Sequence, residues 1–351
     1  MRALTYAGPR EVRVTRVPDA KPADGLGAVV QVSVAGVCGS DLHIYAGHGF
    51  SSDIGYCVGH EAVGQIVEIG AEVRRFTVGD RVLLPASLGC TWCAACAGGH
   101  VIACAHRREP WKQPCYGMSH RLPGCQAEAV AVPHADVNLL HVPDGVSDDT
   151  AILLTDNAPT AWYGARRARI GPGDVVAVIG LGPVGQLAVQ AALLMGAARV
   201  LAVDPVGYRR AWAAEHGAEP VGVEDPKSAI RELTEGQGCD AVIEAVGADE
   251  SIALAVSAAG QAGRVSVVGV SRNGAYPFRM EAAQVKELEF SIGLCSAQRE
   301  LPTLISLAAS GRLAPDAIVT HRLGLSDGPA AYAMLADRRD GVGKVVLDPS
   351  T

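Results

Sequence analysis

Four cysteines crowd into one short stretch: Cys90-x-x-Cys93-x-x-Cys96, then Cys104. Thiolates at that spacing suit a closed tetrahedral zinc site, which folds its own loop and leaves no position open for chemistry. Buried packing by chance is the bland alternative, and an iron–sulfur cluster is the chemical one. A nucleic-acid zinc ribbon would use two separated cysteine pairs and a basic surface, and neither is present. A second set of reactive side chains is scattered. Gly36-Val37-Cys38-Gly39-Ser40-Asp41-Leu42-His43 follows an alternating strand, Gly59-His60-Glu61-Ala62-Val63-Gly64 precedes another, and Thr155-Asp156-Asn157-Ala158-Pro159-Thr160 lies near mid-chain. Cys38, His60 and Asp156 offer a thiolate, an imidazole and a carboxylate. Three protein ligands plus an open position is the arrangement of catalytic zinc, and two of these three are anions that neutralise a dication. Each also reads as a buried cysteine, a core histidine or a helix-capping aspartate, and only a fold can bring them together.

A third motif handles phosphate. Val175-Val176-Ala177-Val178-Ile179 leads into Gly180-Leu181-Gly182-Pro183-Val184-Gly185 and an apolar helix, and Asp204 follows 19 residues after Gly185. This is the dinucleotide fingerprint in its strand–turn–helix context. Gly180 permits the tight turn, Gly182 lets the backbone approach a pyrophosphate, and Gly185 lets helix and strand pack closely. The phosphates then meet free N–H groups at a helix N-terminus. Asp204 can accept from both adenosine ribose hydroxyls and repels a 2′-phosphate, which selects NAD over NADP. Arg209 reaches the ribose or softens that repulsion.

The elements that must position these groups fall into three parts. At 351 residues the chain holds about two domains. With 49% hydrophobic and 19% charged residues it is not disordered. A formal charge of -7 argues against nucleic acid or an anionic membrane as partner. The opening residues carry no apolar signal core, so a cytoplasmic protein is expected. The uncharged run Val175–Ala198 has the length of a membrane span, but its glycines and glutamines predict a strand, a turn and a buried helix instead. Residues 1–155 read as mostly β. From about 157 to 293, strands at Val175–Ile179, Arg199–Val203, Ala241–Ala245, Val265–Val268 and Leu288–Ile292 alternate with helices near 183–196, 208–216, 226–234 and 249–258. That alternation implies a parallel sheet covered on both faces. After about 294 the pattern turns irregular, ending in a strand at Lys344–Leu347. The stretch Ala105–Cys125, with Trp111, His120 and Arg121, reads as a loop that borders the site or simply lies on the surface. Cys57, Cys115, Cys125, Cys239 and Cys295 take packing as their default role.

In these motifs the chain resembles the zinc-dependent medium-chain alcohol dehydrogenases, over nearly its whole length. Gly59-His60-Glu61 with Gly64, Gly70 and Val73 matches that family's zinc signature, the cysteine spacing its structural-zinc lobe, and Gly180–Gly185 its coenzyme turn. The resemblance implies an α/β protein: a GroES-like β-rich catalytic domain (1–156 and 294–351, structural-zinc lobe 89–105) with an inserted Rossmann doubly wound parallel-sheet domain that binds NAD (157–293). It implies two zinc ions per chain, one on Cys38, His60 and Asp156 and one on Cys90, Cys93, Cys96 and Cys104. Glu61 is the neighbouring acid that can join the first. Ser40 takes the alcohol proton, His43 passes it toward solvent, and Asp41 orients His60. Thr160, Val246, Val268, Gly269, Val270, Gly293 and Leu294 are further coenzyme contacts, beside Gly180, Gly182, Pro183, Val184, Gly185, Asp204 and Arg209. Many relatives carry cysteine at the position of Asp156, and the stretch from Asp136 to Asp156 looks most like the secondary-alcohol and glutathione-independent formaldehyde dehydrogenases. The implied activity is reversible oxidation of a small alcohol, a secondary alcohol or polyol, with hydride passing to NAD, in a homo-oligomer (tetramer or dimer). An aldehyde-hydrate dehydrogenase and a non-catalytic NAD-binding regulator are the alternatives.

Overall fold

A computed structural model describes residues 1–49, 51–90, 92–105, 115–271 and 275–351. Trp111 lies outside the described residues. The chain divides into two compact units, Met1–Pro159 with Ser296–Thr351, and Thr160–Cys295. The boundaries fall a few residues later than the expected 156/157 and 293/294, and the first lies inside the helix Asn157–Arg167.

The strands of the N-terminal part are β1 (Arg2–Gly8), β2 (Glu11–Arg16), β3 (Ala28–Val37), β4 (Ala62–Ile69), β5 (Arg81–Leu84), β6 (Ala129–Val132) and β7 (Leu140–His141). Those of the second unit are β8 (Val175–Ile179), β9 (Arg199–Val203), β10 (Glu219–Pro220), β11 (Cys239–Glu244), β12 (Ala259–Val267) and β13 (Glu289–Ile292). The returning segment adds β14 (Val319–Gly324) and β15 (Lys344–Asp348).

In the first unit one sheet runs β14-β15-β3-β4-β5-β7, with β6 also paired to β3, and β1 and β2 form a separate hairpin. Its register decides where the chemistry sits. β3 and β4 are antiparallel with Ala35 opposite Ala62, so Cys38, just past one strand, and His60-Glu61, just before the other, meet at the same sheet end. β15 lies antiparallel on the other side of β3 with Val345 opposite Val37, which brings Lys344 to that end as well. Apolar side chains lock this register from both faces. Val30, Val32, Ile66, Val82 and Leu84 fill one core; Leu4, Tyr6, Tyr45, Tyr332, Val345 and Leu347 fill another. A one-residue slip would turn each set to water.

The second unit is a parallel sheet in the order β10-β9-β8-β11-β12-β13, with helices at Pro183–Leu194, Gly207–Glu215, Pro226–Leu233 and Asp249–Ala258 in the crossovers. Its central strands β8, β9 and β11 are almost wholly buried, as apolar runs require when helices cover both faces. Strand order reverses beside β8, and the crevice beyond the carboxyl ends of strands at such a reversal is where open α/β sheets bind ligands. The uncharged run 175–198 is β8, the glycine turn and a helix buried nearly all round. Among the described residues no helix is long and apolar enough to cross a membrane.

The returning segment departs from the irregular pattern expected of it. It contains the helices Ala297–Ala309 and Gly328–Asp337. Pro302 lies inside the first, and an interior proline reads as a break. The second buries only Gly328, Ala331 and Tyr332, too few to show a helical period.

Packing at the glycine turn gives a stability prediction. A Cβ at Gly185 would lie 1.8 Å from the Gly180 carbonyl oxygen, whereas one at Gly182 would meet nothing within 4 Å. Gly185→Ala is expected to destabilise the protein by about 1–3 kcal/mol in urea unfolding. Gly182→Ala is expected to leave stability unchanged while weakening coenzyme binding in titration calorimetry.

Candidate metal centres and coenzyme turn

The sheet end described above collects four potential ligands. The donor atoms of Cys38, His60, Glu61 and Asp156 all lie within 4.8 Å of one another. Cys38 Sγ stands 3.5 Å from Asp156 Oδ2, and His60 Nε2 stands 3.7 Å from the same oxygen. Asp156 arrives from the turn between the helices Asp148–Leu154 and Asn157–Arg167. Asp41 Oδ1 lies 3.0 Å from His60 Nδ1, and Asp41 Oδ2 accepts from the Cys38 backbone N–H at 2.9 Å. A carboxylate at Nδ1 fixes the tautomer and leaves the Nε2 lone pair toward the cluster. Ser40 Oγ is 3.3 Å from His60 Nε2, and His43 follows on the helix Asp41–Tyr45, half-buried.

Charge in this cluster is tightly constrained. Burial pushes the Cys38 thiol up, and the carboxylates of Glu61 and Asp156 add to the effect. Burial also raises Glu61, against the pull of Lys344. Burial works against a charged His60, yet Asp41 and then Asp156 carry it well above the ordinary histidine value. Lys344 and Glu61 are fully buried and paired, Lys344 Nζ donating to Glu61 Oε2. A Cβ at Gly36 would lie 1.9 Å from that same oxygen, so this strand position needs glycine. Glu61 Oε1 is buried with no hydrogen-bond partner among the described residues. Thiol, imidazole and carboxylate donors around such an orphaned oxygen fit a divalent zinc ion.

The second cluster is Cys90, Cys93, Cys96 and Cys104, all buried, with donor atoms again within 4.8 Å of one another. None of the ten cysteines forms a disulfide. The backbone N–H of Cys96, and then that of Ala105, hold the Cys93 thiol down to about 6, so the thiolate form that binds metal is near at hand. Asn138 clamps the entry to this lobe, accepting from Gly89 N and donating to Gly89 O, both at 3.0 Å. Gln298 in the returning segment donates to Ser87 O at 2.5 Å. A closed set of four sulfurs suits a structural zinc ion.

The coenzyme candidates belong to the second unit. Gly180 has φ +88 at the end of β8, and Gly182 caps the helix that Pro183 begins, followed by Val184 and Gly185. The open space over Gly182 fits a phosphate approaching the backbone. Asp204 is only 5% exposed, and both its oxygens accept backbone hydrogen bonds at 2.8 Å, Oδ2 from Leu181 N and Oδ1 from Val206 N. Arg209 lies 3.8 Å from it. Gly247 and Gly269 bring the loops after β11 and β12 into backbone contact, between Val246 on one side and Val268 and Val270 on the other. Gly293 packs against the Tyr163 hydroxyl, while Val246 and Leu294 are exposed. Thr160 is half-buried on its helix.

Three buried polar neighbours of the Cys38, His60 and Asp156 cluster escaped sequence reasoning: Lys344, Asn157 and Gln126. Lys344 left one signal, a lysine opening an apolar strand in a chain with only five lysines. Asn157 Nδ2 donates to Asp156 Oδ2 at 3.4 Å and to Cys38 Sγ at 3.7 Å. Nothing in local pattern marked it or Gln126.

Comparison with known proteins shows the family of the chain. Residues 25–144 match the alcohol dehydrogenase GroES-like domain and residues 183–310 the zinc-binding dehydrogenase domain. The chain is 40% identical to a protein of Mycobacterium tuberculosis named "Probable zinc-binding alcohol dehydrogenase", over 95% of this chain and 85% of the relative. It is 32% identical to the NADP-dependent isopropanol dehydrogenase of Thermoanaerobacter brockii, over 93% of this chain and 94% of that one. Among solved structures, the alcohol dehydrogenase TADH from Thermus sp. ATN1 superposes with a TM-score of 0.92 at 36% identity, each chain 99% covered. Identity at that level along the chain's length goes beyond a shared fold: this chain belongs to the zinc-dependent medium-chain alcohol dehydrogenase family.

Proposed function

We propose that the chain oxidises a secondary alcohol or polyol to the carbonyl compound with NAD as coenzyme, reversibly. The observation that carries the reading is the gathering of Cys38, His60 and Asp156 donor atoms beside the Ser40 hydroxyl. Zinc at that cluster supplies Lewis acidity, which lowers an alcohol's pKa as it lowers that of water to about 7. NAD supplies the hydride acceptor. The remaining work belongs to this chain's own groups. Cys38 and Asp156 provide two negative donors and His60 a neutral one, its Nδ1 side turned to Asp41. Ser40 accepts the alcohol proton and His43 passes it toward solvent. Glu61, held by Lys344, stands in reserve as a further ligand. Cys90, Cys93, Cys96 and Cys104 hold the second zinc ion. Gly180, Gly182, Pro183, Val184 and Gly185 cradle the pyrophosphate, Asp204 and Arg209 face the adenosine ribose, and Thr160, Val246, Val268, Gly269, Val270, Gly293 and Leu294 flank the rest of the coenzyme.

The NAD preference rests on Asp204. Two backbone N–H groups pin its carboxylate, so it cannot swing away from an incoming 2′-phosphate. A cytoplasmic homo-oligomer, tetramer or dimer, completes the reading. In its support, β13 closes one end of its sheet, and Met280, Val285, Ile292 and Leu294 are exposed large hydrophobics.

Three experiments test these points. With a panel of secondary alcohols and polyols, the native chain is expected to reduce NAD. Cys38→Ala or His60→Ala should lose the zinc of one of the two clusters, retain coenzyme binding, and lose at least about 10³-fold in kcat, equivalent to several kcal/mol. Full activity without that zinc would refute the metal mechanism. For Asp204, kcat/KM should favour NAD over NADP, and Asp204→Asn should narrow the gap by about tenfold or more; a native preference for NADP would overturn this assignment. Sedimentation analysis is expected to give a multiple of the 36.2 kDa chain mass, and a single-chain mass would exclude the oligomer.

A further inference from the structure

We propose that Gln126, backed by Tyr332, is the positioning residue that fixes His60 at the catalytic metal cluster. The inference rests on the zinc reading of Cys38, His60 and Asp156. Gln126 is completely buried and reaches His60 by two routes. On the ring side, Gln126 Nε2 donates to Asp41 Oδ2 at 3.4 Å and to the Gly36 carbonyl at 2.9 Å. Asp41 in turn faces His60 Nδ1 at 3.0 Å and accepts from Cys38 N. On the backbone side, Gln126 N donates to Val58 O and Cys125 N to Gly59 O, both at 3.0 Å. The Gln126 side chain also fills the space where a Cβ at Gly59 would stand, with its Cγ 2.4 Å from that point. Gly59 has φ +89, so the residue immediately before His60 holds a conformation that glycine alone takes readily. From the returning segment the Tyr332 hydroxyl donates to Gln126 Oε1 at 3.0 Å, which fixes the orientation of the amide.

The amide nitrogen and the amide oxygen of Gln126 are therefore both engaged, and the link to Asp41 ends on the carboxylate that faces His60. An outer partner of a metal-bound histidine sets ring orientation and ligand basicity, and its loss weakens metal binding by about 10–100-fold. Gln126 acts one bond further out, through Asp41, so the lower end of that range is expected.

The test uses the two zinc clusters as probe and internal reference. Native, Gln126→Met, Tyr332→Phe and Cys38→Ala chains are loaded with zinc, and release to a colorimetric chelator is followed. The phase that Cys38→Ala abolishes reports the catalytic cluster. Gln126→Met, similar in length but without polar atoms, should release that zinc about tenfold faster while the four-cysteine phase keeps its native rate. Tyr332→Phe removes one hydroxyl and keeps the ring that packs on Tyr45, so it should fold and shift the same phase in the same direction by less. An unchanged catalytic phase in both variants, or both phases accelerating together, would overturn the proposal. A native chain that binds zinc only at the four cysteines would sink the zinc reading itself, and this inference with it.

Discussion

Like charges confined in a dry space repel strongly, and the first unit is built around that difficulty. Cys38, Glu61 and Asp156 can each become an anion, and their donor atoms lie within 4.8 Å of one another and of His60. Two unit charges 4 Å apart interact by about 4 kcal/mol even at an effective dielectric constant of 20. Lys344, completely buried, offsets one of the three charges through Glu61. A divalent cation held by Cys38, His60 and Asp156, as proposed, would offset the other two. The pair Glu61–Lys344 thus removes one carboxylate from the charge count of the metal site without removing it from the neighbourhood.

This balance depends on long-range pairing. Cys38 and His60 flank adjacent antiparallel strands, but Lys344 comes from the far end of the chain and arrives only because β15 pairs with β3. The first unit is closed by the segment that follows the second, so its charge balance is complete only once both ends of the chain have met. The same returning segment contributes Tyr332 behind Gln126 and Gln298 beside the four-cysteine lobe. Each of these tail contacts reaches the surroundings of one of the two candidate metal clusters.

How much of this was legible in the sequence depends on whether the constraint was local. The glycine turn, the four-cysteine lobe and the strand–helix alternation of 175–258 each declare themselves within about twenty residues, because turn geometry, metal spacing and helical period are local physics. Strand β8 and the helix Asp249–Ala258 occupy the expected positions to the residue. The three scattered ligands were legible only as residue types, and their convergence came from family resemblance. Lys344, Asn157 and Gln126 had no comparable handle. A neutral amide gives no pattern, and its significance appears only when a neighbouring carboxylate needs a donor. The helices after 294 were missed for a related reason, since Pro302 and a nearly featureless 328–337 obscure any period.

The structure also changes what the acidic residues are seen to do. Sequence reasoning assigned Asp41 to a histidine and Asp204 to a ribose, roles directed at partners. In the fold each also accepts a backbone hydrogen bond from the loop that carries the function: Asp41 from Cys38 N, and Asp204 from Leu181 N in the glycine turn. Glu244, fully buried and pushed up by that burial, repeats the device at the end of β11, where it accepts from Val246 N, Gly247 N and Ser251 Oγ. The common cause is that a loop bent sharply enough to present its residues withdraws its own amides from regular pairing, and buried amides must find an acceptor. A carboxyl group from the adjoining strand or helix is strong and compact enough to serve, and can take several donors at once. The carboxylate of Asp204 is therefore coupled to the shape of the glycine turn, and His60 orientation to the backbone of Cys38. Exchanging such an acid alters a partner contact and a loop together, so the functional acids of this protein are also its local scaffold.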